Sequence, residues 1–241
     1  MNDLSYVLFD ISYNALPLLV AMVLHEYAHG WVADKCGDST AKTQGRLTVN
    51  PLAHIDLFGT IIVPLLCLML PGSFLFGWAK PVPIDPRNLR QPRRDMALVA
   101  AAGPCMNFLL AVGSAVVLAL LLSIEPSLMS PESPPEAHTA SAAMMLLALM
   151  ASYSVLVNVF LGIFNLMPIP PLDGGRIMVS VLPARPALAL ARLEPYGMMI
   201  LVGLLVFDRD LRIIHTFAST FASGLSGTIL STVGFSTGAP P

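Results

Sequence analysis

The pentapeptide His25-Glu26-Tyr27-Ala28-His29 places two imidazoles four residues apart with a carboxylate beside the first. On a helix, positions i and i+4 share a face, so both imidazoles can bind a single Zn²⁺. Glu26 sits one residue round from that face, close enough to take a proton from water activated at the metal. The pattern lies inside an apolar run, Ile11 to Ala33, where ionisable groups are costly and usually mark function. Helix-packing histidines with a hydrogen-bonded glutamate are the structural alternative. Zinc hydrolases commonly use three protein ligands and leave a fourth position for water. The candidate for the third ligand is Asp173, the only carboxylate between Glu136 and Glu194. It follows Pro168-Ile169-Pro170-Pro171-Leu172, where prolines stop a helix, and precedes Gly174-Gly175, where glycines permit close approach. An aspartate there also suits the N-cap of a helix from Gly174 to Leu182.

The elements that must carry these residues are set by composition. The chain has 241 residues, 55% hydrophobic and 12% charged, with a mean hydropathy of +0.73. Soluble domains carry about 25% charged residues, so the 13 basic and 15 acidic side chains here are too few to coat a globule of this size. The same apolar content excludes a disordered chain. A net charge of -2 leaves no excess basic surface for nucleic acid. Cys36, Cys67 and Cys105 are too scattered for a disulfide framework and read as packing residues. The expected architecture is an all-α polytopic membrane protein with about 4–6 transmembrane helices.

Apolar runs extend over Ile11–Ala33, Leu57–Gly77, Met96–Ile124 and Thr139–Leu172, with a short one over Pro195–Phe207. A last stretch, Ile213–Phe235, reads as a weak span or an interfacial helix. Eleven of the thirteen Lys and Arg fall in three loops: Lys35 to Arg46, Lys80 to Arg94, and Arg176 to Arg192. The positive-inside rule puts all three in the cytoplasm. The first two flank the run at 57–77, so they share a side only if that run is re-entrant. Pro64, Pro71 and Gly72 within it suit that path. No Lys or Arg precedes Lys35, so a positively charged signal-peptide segment is missing and the first helix runs inward.

Three segments in this order, His25 through His29, Ala102-Gly103-Pro104-Cys105-Met106-Asn107, and Asn165 through Gly175, carry a family likeness. The sequence resembles the site-2 protease family of intramembrane zinc metalloproteases, in particular its small bacterial members without PDZ or CBS domains. The resemblance implies that His25, His29 and Asp173 bind one Zn²⁺ per chain and that Glu26 is the general base. It implies an endopeptidase acting on membrane-embedded or membrane-proximal polypeptides, in the bacterial inner membrane, with its active site toward the cytoplasm. The domain organisation expected is a single membrane domain over 1–241. Its catalytic core covers 11–34 and 95–183, with an inserted loop and re-entrant segment at 45–94 and C-terminal helices at 195–235. Gly45 to Gly77 resembles an insertion that similar small members also carry.

Further polar groups have weaker claims. By the resemblance, Asn107 stabilises an oxyanion or positions substrate; an interhelical hydrogen bond explains it equally well. His54, in the loop before the re-entrant run, is a candidate gate or auxiliary metal contact, although a lone loop histidine is more often neither. His138 and His215 stand outside the motifs, and Asn165 can satisfy backbone groups freed by Pro168. Phe76 to Pro83 reads as an extended, proline-punctuated strand on which an unwound substrate could pair. The expected partners are a polypeptide substrate and the lipid bilayer, without nucleic acid, and homo-oligomerisation is open. Two other functions compete. An inactive relative that binds or chaperones membrane segments would normally have lost the base or a ligand, and neither is lost here. A metal transporter would need a polar path across the bilayer, and the apolar runs offer only Asn107, Asn158, Asn165 and small hydroxyls beyond the first motif.

Overall fold

A computed structural model describes residues 2–62, 78–129 and 142–197 and scattered positions between 199 and 228. The side chains of 2–12 and 61 are outside that description. Among the described residues the chain is helical and contains no β-strand. Helix α1 spans Asn2–Cys36, α2 Thr40–Thr43, α3 Pro92–Ile124, α4 Ala142–Asn165, α5 Asp173–Val181 and α6 Ala184–Ala191. The expected first run is therefore the inner part of a helix of 35 residues, about 52 Å long at 1.5 Å per residue.

Helix ends follow local chemistry. Helix α1 stops at Gly37, whose φ of +113° suits only glycine, and the Asp38 N–H then bonds back to Ala33 O at 2.9 Å. Helix α3 opens with Pro92, whose missing N–H costs nothing in a first turn. Asp95 in that turn accepts the Gln91 N–H at 2.8 Å, which also puts negative charge where the helix dipole favours it. Helix α4 ends at Asn165, seven residues short of the expected boundary at Leu172, because the prolines at 168, 170 and 171 cannot continue it.

Helices α3 and α4 are each long and apolar enough to cross a bilayer. Outward leucines and valines on α3, among them Leu109, Val116 and Leu120, would be anomalous in water and are normal against lipid. Of the run at 57–77, the structure describes Leu57–Ile62, a turn of π-helix. Residues 63–77, with Cys67, lie outside the described residues, as do His138, His215 and most of 195–235. Against the expected 4–6 spans, two helices among the described residues are long and apolar enough to cross a bilayer.

The chain divides into two compact units. One comprises 1–21, 107–164 and 199–241. Its core is Ala111, Ala115, Val155 and Val159, small residues that let α3 and α4 approach closely. The Ser114 and Ser154 hydroxyls join these helices at 2.8 Å. The other unit comprises 22–106 and 165–198. It packs Ala33, Leu89 and Val99 together with Ile84 and Met96. It contains His25, Glu26, His29 and Asp173.

Candidate metal centre

His25 and His29 occupy one face of α1, and both are buried. Asp173 is the first residue of α5 and lies against them. Leu172 holds the N-cap position, so the capping role is not what Asp173 does. Its Oδ2 lies 3.1 Å from His25 Nε2 and 3.3 Å from His29 Nε2, and the two Nε2 atoms are 3.0 Å apart. A tetrahedral zinc with bonds of about 2.0–2.1 Å has ligand-to-ligand edges of about 3.3–3.4 Å, so this triangle is close to one face of that tetrahedron.

The proton inventory agrees with a cation at the centre. His29 Nδ1 donates to Val99 O at 2.7 Å, which leaves the Nε2 lone pair facing inward. Asp173 Oδ2 is buried without a hydrogen-bond donor. His29 Nε2 and Asp173 Oδ2 are acceptors facing one another in a buried space, an arrangement that a bound cation would satisfy. Among the described residues, His25, His29 and Asp173 form the group able to hold a metal ion. Asp173→Ala should therefore lower zinc affinity by at least about 100-fold. Metal stoichiometry after dialysis against a competing chelator checks this, and full retention would remove Asp173 from the ligand set.

Glycines make the triangle possible. At Gly103 on α3, a Cβ would fall against His29 Nε2 and within 2.5–2.6 Å of the His25 ring. The next residue, Pro104, cannot donate to Ala100, so the same turn that presents Val99 O to His29 is missing a helix bond. At Gly174 a Cβ would strike the Leu166 carbonyl oxygen, so α5 can begin against the proline loop only with glycine there.

Glu26 faces the segment 78–85. Its Oε2 accepts the Val82 N–H at 2.8 Å. One turn on, Gly30 leaves room for the Val82 side chain, since a Cβ at Gly30 would sit 3.0 Å from Val82 Cγ1. Pro81 and Pro83 carry no N–H, so Val82 offers the only amide donor of that tripeptide, and it points at the glutamate.

The expected strand at 76–83 is not formed within its described part, 78–83, which is extended but unpaired to any strand. Its alternate amides are engaged within the protein: Trp78 N–H with Gly59 O at 3.0 Å and Lys80 N–H with His54 O at 2.9 Å. Arg46 donates to the carbonyls of Lys80 and Pro81 at 2.9 and 3.2 Å. The opposite edge keeps Ala79 as its one amide donor, because 81 and 83 are prolines.

A polar clasp anchors the far end of this segment. Asp38 is fully buried and accepts the N–H of Asp85 at 2.7 Å, Asn88 Nδ2 at 3.1 Å, and both the N–H and the hydroxyl of Thr40. Burial alone would raise its pKa, but the donors from Thr40, Asn88 and Asp85 together hold it below the usual carboxylate range. Asp85 is held down to about 2, first by the Arg87 side chain and then by the Arg87 amide. A carboxylate with a depressed folded pKa contributes stability above its unfolded value, near 3.9, and loses it as pH falls through the folded value. Asp38→Asn should cost about 1–3 kcal/mol at neutral pH, because its NH₂ would face donors. It should also flatten the fall in melting temperature below about pH 4. Thermal unfolding across pH checks both.

His54 is buried, with Nε2 bonded to Thr48 O at 2.8 Å, and it is not in the metal group. Asn107 lies in the other unit. Its Nδ2 donates to Asn158 Oδ1 at 2.9 Å and approaches Ala21 O at 3.4 Å, the interhelical bonding weighed against an oxyanion role. Three roles escaped the sequence reading: the Val82 amide and the missing side chain of Gly103, both inside segments it had singled out, and the Val99 carbonyl. Gly103, beside a proline in an apolar helix, and Val82, between two prolines, carried a visible signal, and Val99 carried none.

A buried face of two histidines and an aspartate, with a glutamate beside it on a scaffold of apolar helices, is the donor arrangement of a metal-dependent hydrolase. The chain matches peptidase family M50, the site-2 protease family, over residues 13–207, and it belongs to that family. It is 36% identical over 203 residues to "Putative zinc metalloprotease YwhC" of Bacillus subtilis, covering 84% of each chain. It is 30% identical over 188 residues to "Putative zinc metalloprotease Rip2" of Mycolicibacterium smegmatis, covering 78% of this chain and 64% of that one. A protein of the same name from Mycobacterium tuberculosis is 29% identical over 186 residues, with 77% and 63% covered. No solved structure matches the chain. The family and these names make the chain a metalloprotease of a membrane-protein family.

Proposed function

We propose that this protein is an intramembrane zinc endopeptidase that cuts membrane-embedded or membrane-proximal polypeptides, with Glu26 as its general base. The observation that carries the reading is the near-tetrahedral face made by His25 Nε2, His29 Nε2 and Asp173 Oδ2 beside Glu26. Two histidines and a carboxylate also suit non-haem iron. The glutamate inside the first motif and the zinc named for the relatives favour zinc.

His25, His29 and Asp173 would hold the zinc, which would supply Lewis-acid polarisation of the scissile carbonyl and a more acidic water. Glu26 takes the proton from the attacking water and returns it to the departing amine. The Val82 amide fixes the Glu26 carboxylate while no substrate is present. Gly103 keeps the opposite side of the imidazoles open to close packing. A substrate helix must unwind locally before its carbonyl reaches the metal, because helical hydrogen bonds occupy its peptide groups. The eleven basic residues in three loops orient the site toward the cytoplasm of a bacterial inner membrane.

The test is comparative proteomics of membrane-peptide fragments in cells carrying the wild type or Glu26→Ala, followed by cleavage of an enriched candidate in proteoliposomes. Fragments that disappear with Glu26→Ala and with zinc chelation support the reading. Identical fragment sets would refute it.

A further inference from the structure

A cavity of about 900 Å³, at the upper end of the range for ligand pockets, is lined by residues that contact or adjoin the candidate site. One wall is the segment from Pro81 to Pro86, and the other is the proline loop with the exposed side of α5. Its floor is helix α6, which presents Ala184, Ala187, Leu188 and Ala191 at positions i, i+3, i+4 and i+7. Two features show what would occupy it.

The first is continuity with the site. Val82, whose amide holds Glu26, and Gly175, two residues after Asp173, both line the cavity. This adjacency is the ground for taking the cavity as the path of a polypeptide that leaves the metal centre. Its prolines at 81, 83, 170 and 171 make rigid walls that need little ordering on binding. The second is charge. Arg93 and Arg176 face the cavity against one carboxylate, Glu194. Arg93 donates to the Leu182 carbonyl. Arg176 is half-buried and makes no ion pair among the described residues. A guanidinium held in an apolar-walled groove is a strong and directional partner for a carboxylate.

We propose that this groove binds the extended segment of substrate next to the scissile bond and selects acidic side chains in it through Arg176. Its assignment to substrate rests on the protease reading above, but the groove's preference for acidic peptides can be measured without cleavage. The probes are two fluorescein-labelled Ala/Ser peptides, one carrying two aspartates and one two lysines, titrated against the purified full-length protein in neutral detergent. Anisotropy should show the aspartate peptide binding about tenfold tighter in the wild type. Arg176→Gln should bring the ratio near one, and Arg176→Glu should invert it. Because each ratio is taken within one variant, partial loss of folded protein does not mimic the result. Arg185→Glu makes the same charge change on the face of α6 away from the groove and should keep the wild-type ratio.

Equal affinities in the wild type, or a shift with Arg185→Glu as large as with Arg176→Glu, would overturn the proposal. So would an Arg176→Glu variant that loses binding to phosphatidylglycerol vesicles while its peptide ratio stays fixed, since the groove would then hold a lipid headgroup. If the ratios behave as expected while no Glu26-dependent cleavage is found, the protease reading fails and peptide selection in the groove stands.

Discussion

Glu26→Gln, purified with zinc and assayed in proteoliposomes, should keep its metal and lose cleavage by about 10²–10⁴-fold, the usual contribution of a positioned general base. Glutamine is the informative replacement because Glu26 has two separable tasks. Its Oε2 accepts the Val82 N–H, and a glutamine oxygen can still do so. It cannot hold the proton that the attacking water gives up. The candidate ligands His25, His29 and Asp173 are untouched, so zinc content should match the wild type. Glu26→Ala removes both tasks and should in addition loosen residues 81–83, read as faster proteolytic nicking there. Cleavage by Glu26→Gln within a few-fold of wild type would sink the mechanism, whatever its zinc content.

The second large effect is expected at a residue with no side chain. Gly103→Ala should lower zinc affinity by about 100-fold or more and take activity with it. The added methyl would occupy the positions of His29 Nε2 and the His25 ring edge. Those rings cannot simply rotate away. His29 is tied through Nδ1 to Val99 O on the same helix that carries the new methyl. Both imidazoles are buried, so the strain must open the face shared with Asp173. Gly113→Ala, ten residues along α3, is the control: nothing lies within 4 Å of a Cβ there. It should retain zinc and, by helix propensity, stabilise by up to about 1 kcal/mol. Zinc bound per chain after chelator competition separates the two variants, and equal values would show that the close approach at Gly103 is not needed.

These two sites differ in how far they could be read from the sequence. Glu26 and the two histidines were legible because helix periodicity is local: four residues bring two side chains to one face whatever surrounds them. The bulk of α3 and α4 was legible for a similar reason, since long uncharged runs have few alternatives. Boundaries were less so. Helix α4 ends at Asn165, where the chain must leave the helix ahead of Pro168, although its apolar run continues to Leu172. The segment around Trp78 has the composition of a strand, yet it is extended without a strand partner. Its amides turn to the carbonyls of Gly59 and His54 and to the carboxylate of Glu26.

The few ionisable residues in the apolar runs, with their spacing, pointed by themselves to a candidate metal site and to the helix that carries two of its candidate ligands. That information is contained within a few consecutive residues, where covalent geometry sets distances. Only the tertiary structure took the N-cap away from Asp173, giving it to Leu172, and set its carboxylate against the two imidazoles. It brought the carboxylate to 3.1 and 3.3 Å from imidazoles on a helix far away in sequence. It likewise selected Val82 and Val99, because every residue other than proline offers the same backbone donor and acceptor, and composition does not mark which will face a side chain. Gly103 belongs between the two: its identity was plain, but the reason for it, two imidazoles where a methyl would be, exists only when two helices distant in sequence are packed together.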